Sequence, residues 1–293
     1  MPLIVRAPAK LNLDLRILSR RIDGFHDLQT LLQSISLHDT LSFTRCQGCM
    51  TVGSQSSGVP TDKKNIVWRA AKVLWRDIGC QGEPKGVSIS ITKRIPMAAG
   101  LGGGSSNAVA ALRGLCSLWG VSASRKRLRE LAASVGSDVP YFLTGGLSVG
   151  FDRGVRLRRL SDLDQYWVVL ASPMFGVPTA LAYKWFDQLP AKSPTKKPRH
   201  WRQQLRLLRN DLQESVVRHH PEIGVMVDRF QATNASLSAM TGSGSTVFGL
   251  YRRKVDAVFA RRQVRSRGWQ TILSWTIGSG EFTRLTEPES GSR

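Results

Sequence analysis

The run Pro96-Met97-Ala98-Ala99-Gly100-Leu101-Gly102-Gly103-Gly104-Ser105-Ser106-Asn107-Ala108 sets four glycines within five residues directly ahead of an alanine-rich segment. Glycine lets a chain turn tightly and, lacking Cβ, lets backbone N–H groups approach a ligand closely. The residues after Gly104 are good helix formers, so the loop opens into a helix. The N–H groups of a first helical turn lack intrahelical acceptors and lie at the positive end of the dipole, which suits an anion. Ser105 and Ser106 add hydroxyls and a favourable N-cap. The preceding Val87-Ser88-Ile89-Ser90-Ile91-Thr92 alternates branched apolar and small polar residues, as a half-buried strand does. A strand, a proline, a glycine turn and a helix predict a phosphate cradle; a flexible Gly/Ser linker would not join a strand to an apolar helix. The loop does not end in Gly-Lys-Ser/Thr, so it is not a Walker A loop and has no lysine of its own for terminal phosphates.

Other segments offer proton and charge chemistry. Gly136-Ser137-Asp138-Val139-Pro140-Tyr141 holds one carboxylate in a short, apolar-flanked turn. Aimed into a cleft, Asp138 can accept a hydroxyl proton; taken alone, a turn or cap is the commoner use of such a residue. In Ala9-Lys10-Leu11-Asn12-Leu13 the alternation makes a strand and puts Lys10, Asn12 and Asp14 on one face. A solvated polar face is the simplest account of those three. Asn65, in Lys64-Asn65-Ile66-Val67, stands where a helix N-cap is expected.

Together these blocks resemble the GHMP kinases, the superfamily of galactokinase and the homoserine, mevalonate and phosphomevalonate kinases. Pro-x-x-x-Gly-Leu followed by small residues, two serines and alanine is similar to the superfamily's phosphate loop. Met240-Thr241-Gly242-Ser243-Gly244-Ser245-Thr246-Val247-Phe248 resembles its third motif. The longer loop, Ala7-Pro8-Ala9-Lys10-Leu11-Asn12-Leu13 and Arg21-Ile22-Asp23-Gly24-Phe25-His26-Asp27-Leu28 resemble one branch in particular. That branch phosphorylates 4-diphosphocytidyl-2-C-methyl-D-erythritol in the non-mevalonate route to isoprenoids. The blocks keep the right order and span most of the chain.

The resemblance implies an α+β fold of two domains, ribosomal-protein-S5-like and then ferredoxin-like, with small-molecule substrates in the cleft between them. It implies ATP as co-substrate, Mg2+, and phosphoryl transfer to the acceptor's 2-hydroxyl. It makes Asp138 the group that takes the hydroxyl proton or positions the alcohol, and Lys10 the cation that keeps Asp138 ionised and polarises the hydroxyl. Asn12 becomes a substrate contact. Phe25 stacks on cytosine and His26 reads its edge, with Tyr183 as the second aromatic and Thr179 against the diphosphate or the polyol. Phe25 replaces the branch's usual tyrosine, which keeps the stacking and loses a hydroxyl. Residues 96–106 would hold ATP, and Asn65 would reach adenine; Ala98 and Ala99 replace glycines often found at the loop's start. Ser105, Ser106 and the phosphates are the implied Mg2+ ligands, because no dedicated carboxylate presents itself. The turn at Thr241-Gly242-Ser243-Gly244 would close over the site and support the loop.

Composition bounds the rest. A chain of 293 residues with 41% hydrophobic and 22% charged residues can bury a sizeable core in one large or two modest domains. No apolar run is long enough to span a bilayer and the first residues lack a secretory signal, which predicts a cytoplasmic protein without a membrane partner. Cys46 and Cys49 form a Cys-x-x-Cys pair with no second pair at zinc-ribbon spacing, so a hairpin turn is the simpler reading; Cys116 reads as a packing residue. The net charge of +21 gathers in 192–218 and 252–267, without any nucleic-acid-binding signature. It predicts a solvated basic surface that draws phosphorylated substrates towards the cleft, and no specific nucleic-acid partner.

The elements that must position these residues follow from periodicity. Strands are expected at 3–6, 11–18, 30–36 and 147–151, and helices at 65–78, 107–119 and 124–135. These make a first domain over 1–160. A second domain over 161–282 opens with a strand at 167–171. Helices at 179–186, 200–208 and 222–230, the 241–244 turn between strands, a helix at 255–267 and a strand at 270–276 follow. The polar tail 283–293 is expected to be disordered, and 192–198 to be a mobile basic loop.

Overall fold

Two long antiparallel strands form the spine of the first domain: β1 (Leu3–Arg20) and β2 (His26–Cys49), joined by a turn in which Gly24 takes φ +81. The computed structural model describes residues 1–152, 154–190, 202 and 205–290. The two strands expected at 3–6 and 11–18 are one, because register shifts between Pro8 and Lys10 and between Asn12 and Asp14 absorb the proline without ending the pairing. Every residue from Ala7 to Ile17 is buried. Lys10, Asn12 and Asp14 are therefore no solvated face; they are 5%, 5% and 1% exposed.

The first sheet has the order β11-β1-β2-β4-β3, with β4 at Lys85–Thr92, β3 at Thr51–Ser54 and β11 at Glu289–Ser290. Strands β5 (Leu147–Phe151) and β6 (Arg156–Arg159) extend it from the other half of β2. Helices α1 (Ile66–Asp77), α2 (Gly103–Trp119) and α3 (Arg125–Val135) cover one face. Phe43, Ile89, Leu74, Ala111 and Leu115 are fully buried in that core. Gly114 lets α2 lie flat on Phe43, since a Cβ there would sit 2.4 Å from the ring. Cys46 and Cys49 do not flank a hairpin. Strand β3 pairs in parallel with β4, whose other edge is already taken by β2, so the chain passes around β4 instead. Both thiols are free.

The second domain is a four-stranded antiparallel sheet, β10-β7-β9-β8, built from β7 (Trp167–Pro173), β8 (Leu237–Met240), β9 (Val247–Tyr251) and β10 (Trp269–Trp275). One face, with Val168, Leu170, Phe248 and Leu250, packs on Ala9, Leu11 and Leu13 of β1. The opposite face carries α4 (Thr179–Phe186), α5 (Leu212–His219), α6 (Pro221–Gln231) and α7 (Lys254–Gln263). Helix α5 was not legible from periodicity, because Arg218, His219 and His220 interrupt its short apolar stripe. The helix expected at 200–208 reduces, in its described part, to a 3-10 turn at Leu205–Leu207. The basic loop 192–198 lies outside the described residues.

The expected disordered tail is ordered as far as Ser290. Residues Ser279–Thr286 form α8, which returns to the first domain and buries Phe282 in its core. Strand β11 then pairs with Leu3 and Ile4, and Glu289 meets Arg6 at 2.9 Å. Ladder pairing uses the backbone, so the polar composition concealed it. No helix among the described residues is long and apolar enough to cross a membrane.

Candidate functional site

A cavity of about 1360 Å³ opens between the two domains. The glycine-rich loop forms one wall and Lys10 and Asn12 lie within it; Asp138, Phe25, His26, Thr179 and Tyr183 line the remainder.

The loop starts from a buried anchor that sequence reasoning missed. The carboxylate of Asp39 accepts the backbone N–H groups of Arg94 and Ile95 at 2.8 and 2.9 Å and the Lys93 ammonium at 2.5 Å. A lone Asp in a strand carried no signal for this. Pro96, Met97, Ala98, Ala99, Gly100 and Leu101 then run along the cavity, with Ala98 left-handed at φ 49, a backbone state that favours glycine. Gly102, at φ +70, is itself the N-cap of α2, and no side chain caps the helix. The serines are therefore not caps. The first intrahelical bond runs from Ser106 N–H to Gly102 C=O at 3.0 Å, leaving the N–H groups of Gly103, Gly104 and Ser105 without intrahelical acceptors. Ser105 faces the cavity with Gly102, Gly103 and Gly104, whereas Ser106 is 2% exposed and does not line it. A turn of 100° per residue sends the two hydroxyls to different sides of the helix. Asn107, which sequence reasoning passed over, does line the cavity, and its buried Oδ1 has no hydrogen-bond partner among the described residues.

Segments far apart in the chain grip the loop. Lys10 N–H donates to Leu101 C=O at 3.0 Å, and Thr246 N–H to Ala99 C=O at 3.3 Å. The Thr241 hydroxyl accepts Asn12 N–H at 2.9 Å. Gly100 lies so close to the 241–244 turn that a Cβ would sit 2.0 Å from Thr241 C=O. Asn210 holds the turn from behind, donating to Met240 and Gly242 C=O at 2.7 and 2.8 Å.

Lys10 and Asp138 share this cavity. Burial lowers the Lys10 pKa, and the Asp138 carboxylate opposes that shift by stabilising the ammonium. Lys10 Nζ donates to Asn12 Oδ1, and Asn12 Nδ2 donates to Thr30 Oγ1 at 2.7 Å. Asn12 is thus tied into the wall, with both ends of its amide engaged by protein. Asp138 precedes a buried 3-10 turn, Val139–Leu143, but its side chain makes no capping hydrogen bond, so the carboxylate stays open to the cavity.

Of the two neighbours in the chain, Phe25 is 56% exposed and His26 is buried. The His26 ring stacks on Tyr183 with centroids 5.1 Å apart and planes 21° from parallel. Its Nε2 lies 2.7 Å from Asp187 Oδ1, a partner that no motif announced. Burial raises the Tyr183 phenol, and Asp138 raises it further. Thr179 Oγ1 lies 3.1 Å from Ser243 Oγ, linking α4 to the 241–244 turn. Among the described lining residues, Lys10, Arg20, Lys64, Arg69, Lys93 and Lys184 outnumber Asp138 and Asp187, so the cavity suits polyanions.

Two family models match the chain: the GHMP kinases N terminal domain over residues 65–146 and the GHMP kinases C terminal over residues 196–269. The chain belongs to the GHMP kinase family. Among members of the family, it is 37% identical over 269 residues to the 4-diphosphocytidyl-2-C-methyl-D-erythritol kinase of Bacillus pumilus, covering 88% of this chain and 92% of that one. It is also 37% identical over 279 residues to the enzyme of the same name from Geobacter sulfurreducens, covering 94% and 99%. A crystal structure of 4-(cytidine 5'-diphospho)-2C-methyl-D-erythritol kinase superposes with a TM-score of 0.79 at 32% identity, covering 94% of this chain and 99% of that one. A homoserine kinase from Cytophaga hutchinsonii, at 17% identity and a TM-score of 0.68 over 98% and 96%, shares the two-domain GHMP kinase fold.

Asn65 lines the cavity and caps α1. Its Oδ1 accepts Val67 N–H at 3.0 Å and its Nδ2 donates to Pro60 C=O at 2.7 Å. Asn65→Ala is therefore expected to lower stability by about 1 kcal/mol while leaving the KM for ATP within about twofold. Asn65→Ser, which keeps a capping oxygen but loses the bond to Pro60 C=O, should recover part of the loss; thermal melts and ATP saturation curves measure both. A large rise in the KM for ATP with unchanged melting would restore the adenine contact.

Proposed function

We infer that this protein transfers the γ-phosphate of ATP to the 2-hydroxyl of 4-diphosphocytidyl-2-C-methyl-D-erythritol. The observation that carries this reading is the arrangement across the cavity. Three free N–H groups of a glycine loop stand on one side, and Lys10 with Asp138 faces them beside an aromatic pocket. Phosphoryl transfer through a loose transition state asks mainly for positioning and charge stabilisation. The N–H groups of Gly103, Gly104 and Ser105 hold the triphosphate tail at the positive end of α2. Asp138 receives or orients the acceptor hydroxyl. Lys10, held by Asn12, sets the charge between the two.

The residues present also fit Mg2+. Ser105 lines the cavity, and its hydroxyl with the phosphate oxygens would give the ion an oxygen shell. Ser106, turned away, would not take part. When bound, the ion neutralises phosphate charge. The Phe25, His26 and Tyr183 rings favour an acceptor with a planar base over homoserine or mevalonate, which have none.

Purified protein with ATP, Mg2+ and candidate acceptors tests this. ADP should form with the cytidyl acceptor and not with homoserine, mevalonate or phosphomevalonate; turnover of one of those three alone would replace the reading. The pH profile adds a second check. Lys10 is charged only below its pKa, and burial lowers that pKa from 10.5. The turnover rate is therefore expected to fall with rising pH on a limb whose midpoint lies below 10.5, and Lys10→Arg should shift that limb upward in whatever activity remains. A limb unmoved by Lys10→Arg would assign it to another group.

A further inference from the structure

We propose that Asp187 is a positioning residue that makes this site select cytosine over uracil, by deciding which nitrogen of His26 carries the proton. The inference rests on the cytidyl-acceptor reading above. It starts from the 2.7 Å contact between His26 Nε2 and Asp187 Oδ1, made where the His26 side chain is 5% exposed and that of Asp187 27%.

A carboxylate accepts hydrogen bonds and cannot donate them, so the Nε2 that meets it carries hydrogen. In a neutral imidazole the other nitrogen, Nδ1, then holds a bare lone pair. Among the described residues no hydrogen bond joins Nδ1 to protein, and His26 lines the cavity together with Phe25 and Tyr183. Neighbours pack around the ring and its carboxylate partner. Tyr183 stacks on one face and Phe186 meets it edge-on at 6.2 Å, while Arg20 Nε holds the second Asp187 oxygen from 3.7 Å. Asp187 sits just past the end of α4, where Tyr183 C=O accepts its N–H at 3.0 Å, so aromatic wall and carboxylate move as one piece.

The two pyrimidines differ at N3, which is bare in cytosine and carries hydrogen in uracil, and at C4. Cytosine carries an amine, which donates to the Nδ1 lone pair. Uracil carries a carbonyl oxygen, which sets lone pair against lone pair, and such a mismatch at a buried polar group separates close analogues strongly. Asp187 touches no substrate atom in this scheme. It acts through His26.

The test uses the full-length enzyme with the cytidyl acceptor and its uridyl counterpart, together with 15N spectra of the histidine rings without substrate. For the wild type the proposal expects the Nε2–H form at His26 and a kcat/KM preference for the cytidyl acceptor of at least ~100-fold. Asp187→Asn places an amide at the same position, which can donate as well as accept and so no longer dictates the proton's place. That variant should show mixed tautomers, a KM for the cytidyl acceptor raised roughly tenfold, discrimination reduced by about the same factor, and a KM for ATP within about twofold. A merely structural Asp187 would lower the melting temperature and leave the preference unchanged; that result overturns the proposal, as does an Nδ1–H form in the wild type. If His26 has the expected tautomer but neither pyrimidine acceptor turns over, the cytidyl reading fails, and the selectivity assignment falls with it.

Discussion

Asp138→Asn is expected to lower kcat by about 10²–10⁴ while changing the KM for ATP and for the acceptor by less than about threefold. The substitution keeps shape and removes the capacity to hold a proton, together with the charge that stabilises the Lys10 ammonium. The side chain makes no capping bond to the turn that follows, and Val139, Pro140, Tyr141 and Phe142 anchor that turn by burial. The fold should therefore not register the change, and thermal melts of variant and wild type should coincide. Single-turnover rates at saturating substrates separate the two roles open to the carboxylate. An amide can still orient a hydroxyl by hydrogen bonding, so a fall of less than about tenfold would mean that Asp138 chiefly positions the alcohol, as a loose transition state permits. A fall of about 10³ or more means proton transfer. Asp138→Ala distinguishes further, since loss of orientation should deepen the defect only in the first case.

Gly100→Ala is expected to damage both stability and activity. Gly100 has φ +77, and its missing Cβ leaves space that Thr241 C=O fills, 2.0 Å from where the Cβ would stand, with Gly244 C=O at 3.1 Å. These neighbours are backbone and cannot rotate away. A left-handed φ costs an L-residue roughly 1–2 kcal/mol, and overpacking adds ~1–3 kcal/mol. The melting temperature should drop by roughly 5–15 °C. Pushing the phosphate loop off the 241–244 turn also moves the N–H cradle relative to Lys10, and a misplacement of an ångström can reduce kcat/KM about 10²-fold. Gly268→Ala is the control: it has φ +84 with nothing within 4 Å, so it should lose only the conformational part and keep full activity. Equal effects of the two substitutions would mean that the contact between loop and turn is not what fixes the cradle.

The parts of the molecule legible in the sequence are those governed by neighbours in the chain. The strand over 147–151 and the helix over 179–186 have the bounds that periodicity and turn residues predict. The Ser124 cap opens α3 by accepting Arg127 N–H at 3.2 Å. The glycine-rich loop was readable because φ > 0 and a helix start are local demands, met by particular residue types. Even there, which atom caps the helix was not decided locally: Gly102 does it, and the two serines end on different sides of α2.

Tertiary structure alone decided that the polar side of β1 is the inside of a cleft. Lys10, Asn12 and Asp14 alternate just as a solvated strand face would, and only the approach of distant segments, Gly102 and Gly242 to Lys10, Thr241 to Asn12 and Arg209 to Asp14, shuts them away from water. It likewise brought Asp39 under the loop, Asp187 against His26, and Glu289–Ser290 onto the edge of β1. Each is a contact between distant segments, made by groups whose types fit many other uses. A sequence announces the periodicity and conformational limits of a segment, because those belong to the segment itself. Which buried charge meets which partner depends on the packing of elements, and that is set only when the whole chain has folded.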